Sequence, residues 1–307
     1  MSSRNSSSRS GLKSPQSTTD PDFWIQARRA ATALCLSYRI DTYGGVIIDS
    51  SELPETVDDF RTALRCSLDH LDSEGFQKAF WIRIPTISIE FVTVCLRDFD
   101  FYVHHAKKEY VMMVKWAHPT KPNPIPPPST HQVGVGCVID RGDGYILLVK
   151  ERTGPAAVGC GIWKLPTGLV DPLEEICTAA LREAKEETGL DCLFGSVICF
   201  RHSHGGSPAL GASSDLFFAC LLHPKTPDQE VVLQESEVQN FMWVHHTELH
   251  KITECTEGTS AWEIMERARS LISGDEGSPC VIKATKLPAW RRTYCDQYIF
   301  SPTLYIG

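Results

Sequence analysis

Residues 168–190 read GLVDPLEEICTAALREAKEETGL, and the reading of the whole chain turns on them. The stretch reads as a helix from about Glu174 to Thr188, stopped at Gly189, where glycine supplies the left-handed backbone of a helix end. At about 100° per residue, Glu183, Glu186 and Glu187 fall within an arc of roughly 100°. Like charges four residues apart destabilise a helix, and Glu183 and Glu187 are such a pair. A solvated acidic face is the usual reading of such a cluster. A bound cation would relieve the repulsion, which makes the stripe a functional-site candidate. Ile176, Ala179, Ala180 and Ala184 form a small apolar face suited to close approach on a sheet. Arg182, four residues before Glu186 and able to reach back to Glu174, reads as an organiser that orients carboxylates. Gly168 reads as the residue permitting a tight loop before the helix.

Working outward, residues 131–250 read as one strand-rich domain. Gln132 to Asp140 and Tyr145 to Lys150 are β-rich runs around the turn Arg141-Gly142-Asp143-Gly144, a hairpin signal. Cys192 to Arg201, Ser214 to Leu222 and Phe241 to Val244 add strands, and Thr259 to Ile272 reads as a helix within a C-terminal helical extension, residues 251–307. Upstream, residues 118–130 hold six prolines in thirteen positions and read as a semi-rigid spacer. Before it, residues 22–117 predict a small α/β domain. Its helix spans Val57 to Leu71, with strands at Phe80 to Ile84, Phe99 to Val103 and Tyr110 to Trp116, and an apolar helix at Ile87 to Leu96. Residues 1–21 are Ser-rich and read as a disordered tail.

A net charge of −8 over 307 residues argues against a general nucleic-acid or anionic-membrane partner. No apolar run reaches the ~18–20 residues that span a bilayer. The twelve cysteines are scattered without a CxxC pair, which fits thiols in a reducing compartment better than a disulfide framework or a zinc site. The expected location is the cytoplasm, with mitochondrion and nucleus left open.

The segment matches the Nudix box, Gx5Ex7REUxEExGU, at every position: Gly168, Glu174, Arg182-Glu183-Ala184, Glu186-Glu187, Gly189 and Leu190. Seven fixed residues coincide by chance in about one window in 10⁸ at average composition, so the chain resembles the Nudix hydrolases. HQVGVGCVID, WKLPTGLVD, FRHSH and SDLFF further resemble a eukaryotic subgroup of plant ADP-ribose/NADH-type pyrophosphatases and an animal growth-factor-antisense Nudix protein. In that subgroup a pre-Nudix domain similar in fold to GCN5-type acetyltransferases precedes the box domain, and FWIRIPTISIEFV and FDFYVHHAKKEYVMMVKW resemble it. The resemblance implies an α+β architecture: a Nudix α/β/α sandwich with a mixed sheet behind a small acetyltransferase-like domain. It implies Mg²⁺ or Mn²⁺ held by Glu183, Glu186 and Glu187, with Glu183, Glu187 or the loop residue Glu237 as general base. It implies a nucleoside diphosphate linked to another moiety as substrate, such as ADP-ribose or NADH. Ile84-Pro85-Thr86, in place of a Gly-rich turn, points the first domain to a structural role or to dimerisation, a homodimer being the assembly expected in the second case. Lys164 and Arg201 are candidate phosphate contacts, His202 and His204 candidate anion or metal contacts, and Trp163 and Phe200 candidate stacking surfaces. A regulatory protein that keeps the fold with little turnover is the alternative.

Overall fold

Val57, Phe60, Leu64, Leu68 and Leu71 recur at helical spacing, and in a computed structural model of the chain they lie on one helix, α1 (Val57–Ser73). Thr56 caps it, its Oγ1 accepting from Asp59 N at 3.1 Å. The structure describes residues 35–48, 50–152, 162–204, 213–252, 257, 259–274, 282–287 and 297–302; the Ser-rich stretch 1–21 lies outside them. Two compact units form, Met1–Ser129 and Thr130–Gly307.

In the first unit β1 (Tyr38–Ile40), β2 (Val46–Ile48), β3 (Ala79–Pro85), β4 (Tyr102–Ala106) and β5 (Tyr110–Trp116) form a sheet of order β1-β2-β3-β5-β4. Only β2 and β3 run parallel, with α1 as their crossover. A second helix, α2 (Glu90–Asp98), packs on α1 through stacked rings of Phe60 and Phe91, 4.4 Å apart and both fully buried. The expected helix over Ile87–Leu96 starts later, and Ile87 and Ile89 are exposed. The strand expected at Phe99 to Val103 is displaced to β4. Asp100 takes φ 60°, a left-handed state that aspartate tolerates, which interrupts the extended chain while Phe99 and Phe101 stay buried. The Pro-rich segment is also more than a spacer. Proline lacks N–H but keeps its carbonyl, and Pro126 O engages His104 Nε2 at 2.9 Å. Asn123 Nδ2 donates to Tyr102 Oη at 2.8 Å, and Trp116 Nε1 to Lys121 O at 3.0 Å, so the segment lies along the first unit.

In the second unit, β6 (His131–Ile139), β9 (Thr167–Leu169), β10 (Cys192–Ser203), β11 (Ser214–Pro224), β13 (Ile282–Leu287) and β14 (Gln297–Pro302) form a mixed sheet of order β14-β13-β10-β11-β6-β9. A three-stranded sheet holds β7 (Tyr145–Glu151) between β8 (Trp163–Lys164) and β12 (Val238–His245). Side chains alternate along β6, so Val135, Cys137 and Ile139 join α3 (Ile176–Thr188), while Val138 joins the cluster of α4 (Ser260–Ser273). The helices thus cover opposite faces.

Two expectations change here. Arg141 to Gly144 do turn, with Arg141 N on Tyr145 O at 3.0 Å, but β6 and β7 are not a hairpin. After one bridge, Asp140 to Ile146, they part into different sheets. The reason lies in β6, buried on both faces with β11 on one edge and β9 on the other, which leaves no edge for β7. The C-terminal segment expected to be helical carries α4 and then the antiparallel pair β13–β14, which extends the large sheet from Val197 of β10.

Replacing Phe60 with Ala removes the ring that joins α1 to α2. The expected loss is about 3–5 kcal/mol of first-unit stability, read as a lower denaturation midpoint.

Candidate active site

The chain enters α3 through a tight turn. Glu174 N–H donates to Asp171 O at 3.0 Å, with Pro172 and Leu173 at its corners. Leu173 takes φ 68°, the position where such a turn ordinarily has glycine. The helix begins only at Ile176, so Glu174 sits in the turn, not on the helix. Its Oε2 accepts from Asp171 N at 3.0 Å. At the far end Gly189 caps α3 at φ 73°, its N–H on Lys185 O.

Arg182 ties turn, strand and helix together. Its Nε and Nη2 donate to the two Glu174 oxygens at 2.9 and 2.8 Å, a two-pronged grip that fixes both planes. Nη2 also donates to Leu169 O at 3.0 Å, and Nη1 to Glu183 Oε1 at 2.7 Å and Glu186 Oε2 at 3.0 Å. Arg182 holds the Glu174 carboxyl below its ordinary range, and these carboxylates raise the guanidinium further. These are the contacts that an organiser of carboxylates would make.

Gly168 has a different role from the loop glycine expected. It is not in the left-handed region, and it pairs with Val135 as part of β9. A Cβ there would lie 1.9 Å from Glu183 Cδ and within 2.2 Å of both carboxylate oxygens. The absent side chain is the space that Glu183 fills.

Glu187 is 4% exposed, and its Oε2 has no hydrogen-bond partner. Burial pushes its carboxyl up to about 7. The Lys164 cation and the Thr167 N–H pull it down, while Glu183 and Glu151 push it up. Burial also raises Glu183, against Arg182, with the charges of Glu186 and Glu237 adding to the rise. Glu237 therefore acts on the cluster from the loop before β12, where it is exposed. Lys164 is engaged by Glu151 and by Thr167 Oγ1, the latter at 2.5 Å, so its ammonium serves the site's interior. Glu151 was missed in the sequence, though an acid ending the buried strand β7 is the signal that marks it.

Arg201 does not join this cluster. It is in register with Phe217, Gly134 and Leu169 across the sheet, and side chains in one row share a face. Gly168, next to Leu169, looks toward Glu183 on the other face. Arg201 instead pairs with Asp215 at 2.8 Å and lies over the Phe217 ring at 4.8 Å, with its Nε unpartnered. On the same strand, His202 Nε2 meets His131 Nε2 at 2.9 Å, and just past its end His204 Nδ1 meets Ser214 Oγ at 2.9 Å. Phe200 is exposed and leans on Phe218, and Trp163 lies under Lys150 at 4.9 Å. Among the described residues, no group of three or more His, Cys, Asp or Glu stands in ligating geometry, Arg182 being in contact with both Glu183 and Glu186.

A carboxyl raised from 4.5 to about 7 on folding destabilises the fold as pH climbs through that window, because the unfolded chain ionises first. Glu187→Gln removes this penalty. The variant is expected to be more stable than the parent at pH 8 by on the order of 2–3 kcal/mol, with the gain vanishing below pH 4.5. Urea unfolding at both pH values without added metal checks it.

Comparison with known families places this geometry. The NUDIX domain family matches residues 130–262, and a Nudix hydrolase domain family matches residues 36–117. Nudix hydrolase 2 of Arabidopsis thaliana is 36% identical over 233 residues, covering 76% of this chain and 78% of that protein. Nudix hydrolase 8 of Arabidopsis thaliana is 37% identical over 66% of this chain, which spans only 53% of its length. Nucleoside diphosphate-linked moiety X motif 6 of Homo sapiens is 32% identical, covering 62% of this chain and 59% of that protein. With an unbroken box running from β9 through the turn and α3, and a relative matched over most of both chains, the protein belongs to the Nudix hydrolase family.

Proposed function

We propose that the chain hydrolyses the pyrophosphate of a nucleoside diphosphate linked to another moiety, ADP-ribose or NADH being the substrates to test first, with Mg²⁺ or Mn²⁺ as cofactor. The observation that carries this reading is the buried, unpartnered Oε2 of Glu187 beside Glu183. Around it stand Glu151, Glu174, Glu183, Glu186 and Glu237, with Lys164 and Arg182 as the cations named among them. That excess of hard oxygen charge suits a divalent cation of the Mg²⁺ class. Glu183, Glu186 and Glu187 would hold it, and when bound it would screen the diphosphate oxygens and acidify the attacking water.

The chain's own part begins with position. Arg182 fixes Glu183 and Glu186, and Gly168 lets Glu183 lie flat against β9. Glu187, Glu183 and exposed Glu237 are the bases to test. Water attack on one phosphorus of ADP-ribose yields AMP and ribose phosphate, and of NADH yields AMP and reduced nicotinamide mononucleotide. Arg201, on the other sheet face, is proposed only as a peripheral anion contact. For the first unit we propose an acetyltransferase-like fold with a structural or dimerisation role in place of acetyl transfer. In support, no glycine stands between β3 and α2 to open a phosphate-binding turn, and Ile87 and Ile89 are exposed there.

The test is AMP release from ADP-ribose and NADH with Mg²⁺, comparing the parent chain with Glu187→Gln and Gly168→Ala. Both variants are expected to lose activity by on the order of 10²-fold or more, Gly168→Ala because its methyl displaces the Glu183 carboxylate. Equal rates from parent and Glu187→Gln, or nucleotide binding without turnover, would reject the proposal.

A further inference from the structure

The first unit holds a pair of thiols that the hydrolytic site leaves unused. Cys35 and Cys66 are 31 residues apart in sequence, and their Sγ atoms stand 2.7 Å apart. Even carbon atoms rest at ~3.5–4.0 Å when merely in contact, so these two larger sulfurs are pressed together. Both residues are half-buried, within reach of a small reagent.

The neighbouring residues keep them there. Leu36 N–H donates to Ser67 Oγ at 2.8 Å in a buried contact, and Ser67 Oγ donates to Ala63 O within α1 at 2.8 Å. The Leu36 side chain is itself part of the core. Position 35 is therefore pinned to position 66 by a bond between the very next residues, Leu36 in the chain entering β1 and Ser67 on α1.

Other described cysteines are held back. Burial pushes Cys95 and Cys220 up to about 12 and Cys192 to about 11, and raises Cys137, Cys177 and Cys199 as well. The thiolate is the reactive form, so these six are poor nucleophiles.

We propose that Cys35 and Cys66 form a reversible disulfide when a small disulfide such as oxidised glutathione is in excess. One thiolate attacks a glutathione sulfur, forming a mixed disulfide and expelling the first glutathione thiol. The second cysteine then attacks the protein sulfur of that mixed disulfide, closing Cys35–Cys66 and expelling the second glutathione. The electron pair and the two thiol protons end on the two glutathione molecules. The bond staples the chain entering β1 to the middle of α1, and such a cross-link stabilises by restricting the unfolded chain.

The full-length chain is equilibrated in graded mixtures of reduced and oxidised glutathione, quenched with an alkylating reagent, and digested without reduction for mass spectrometry. Expected are a Cys35–Cys66 linked peptide lighter by two hydrogens, reversal by dithiothreitol, and a thermal midpoint raised by roughly 5–10 °C. Cys35→Ser and Cys66→Ser each abolish both the peptide and the rise. Ser67→Ala keeps both thiols but loosens the pin, and half-oxidation moves to a more oxidising mixture. The proposal is overturned if Cys35 and Cys66 stay alkylated or stop at the mixed disulfide in excess oxidised glutathione. It is equally overturned if the cross-links scatter over other cysteines, or if the rise in midpoint survives in both serine variants.

Discussion

One guanidinium, that of Arg182, ties the acidic stripe of α3 to the turn and strand before it. Without Arg182, three helix carboxylates and Glu174 would face each other with only Lys164 among the cations described here. With it, Glu174 in the turn, Leu169 O on β9, and Glu183 and Glu186 on the helix are joined by five hydrogen bonds of 2.7 to 3.0 Å. Arginine's planar fork can serve these partners at fixed angles, where a lysine could offer only one point charge. The rest of the site inherits its positions from this contact: the turn with Leu173 in a left-handed state, the late helix start, and the close approach of Glu183 to Gly168.

That close approach also sets the packing behind the site. Ala179, Ala180 and Ala184 are fully buried against β6 and β11, so α3 lies near the sheet with little side-chain bulk between them. Larger residues on that face would lift the helix and carry Glu183 away from β9. On the opposite face Gly136 makes room for the Phe217 ring, since a Cβ there would meet it at 2.4 Å. The glycines of β6 and β9 thus serve opposite layers: one admits a carboxylate, the other an aromatic ring.

Much of this was legible in the sequence because it is local. Helical spacing fixed α1 and α4 to within two residues, and the box placed α3, its Gly189 cap and the Arg182 partners. Pairing between distant strands was not legible. The Arg141–Gly144 turn has hairpin chemistry, and only the competition of β9 and β11 for both edges of β6 sends β7 elsewhere. Glu151 is separated from Glu187 by 36 positions, and although an acid ending a buried strand stands out, only strand pairing brings it to the site. Gly168 was recognisable as required, but the reason was not: backbone freedom is a property of the residue, whereas clearance for Glu183 exists only once helix and strand have met. Arg201 shows the converse, a strand-end cation whose face is decided by register alone.

The burial that makes Glu187 a weak spot in the fold is also what gives the proposed cofactor its leverage. A carboxyl pushed to about 7 is partly protonated at neutral pH, and its Oε2 finds no donor inside the protein. A divalent cation requires the ionised form, so on the proposed reading its binding releases a proton and removes the desolvation penalty together. Affinity should therefore rise with pH across the neutral range, more steeply than for an exposed carboxylate site already ionised there. Lys164 moderates the effect. By lowering the Glu187 carboxyl it limits how much burial of that group costs the fold, while its own close partners are Glu151 and Thr167 Oγ1.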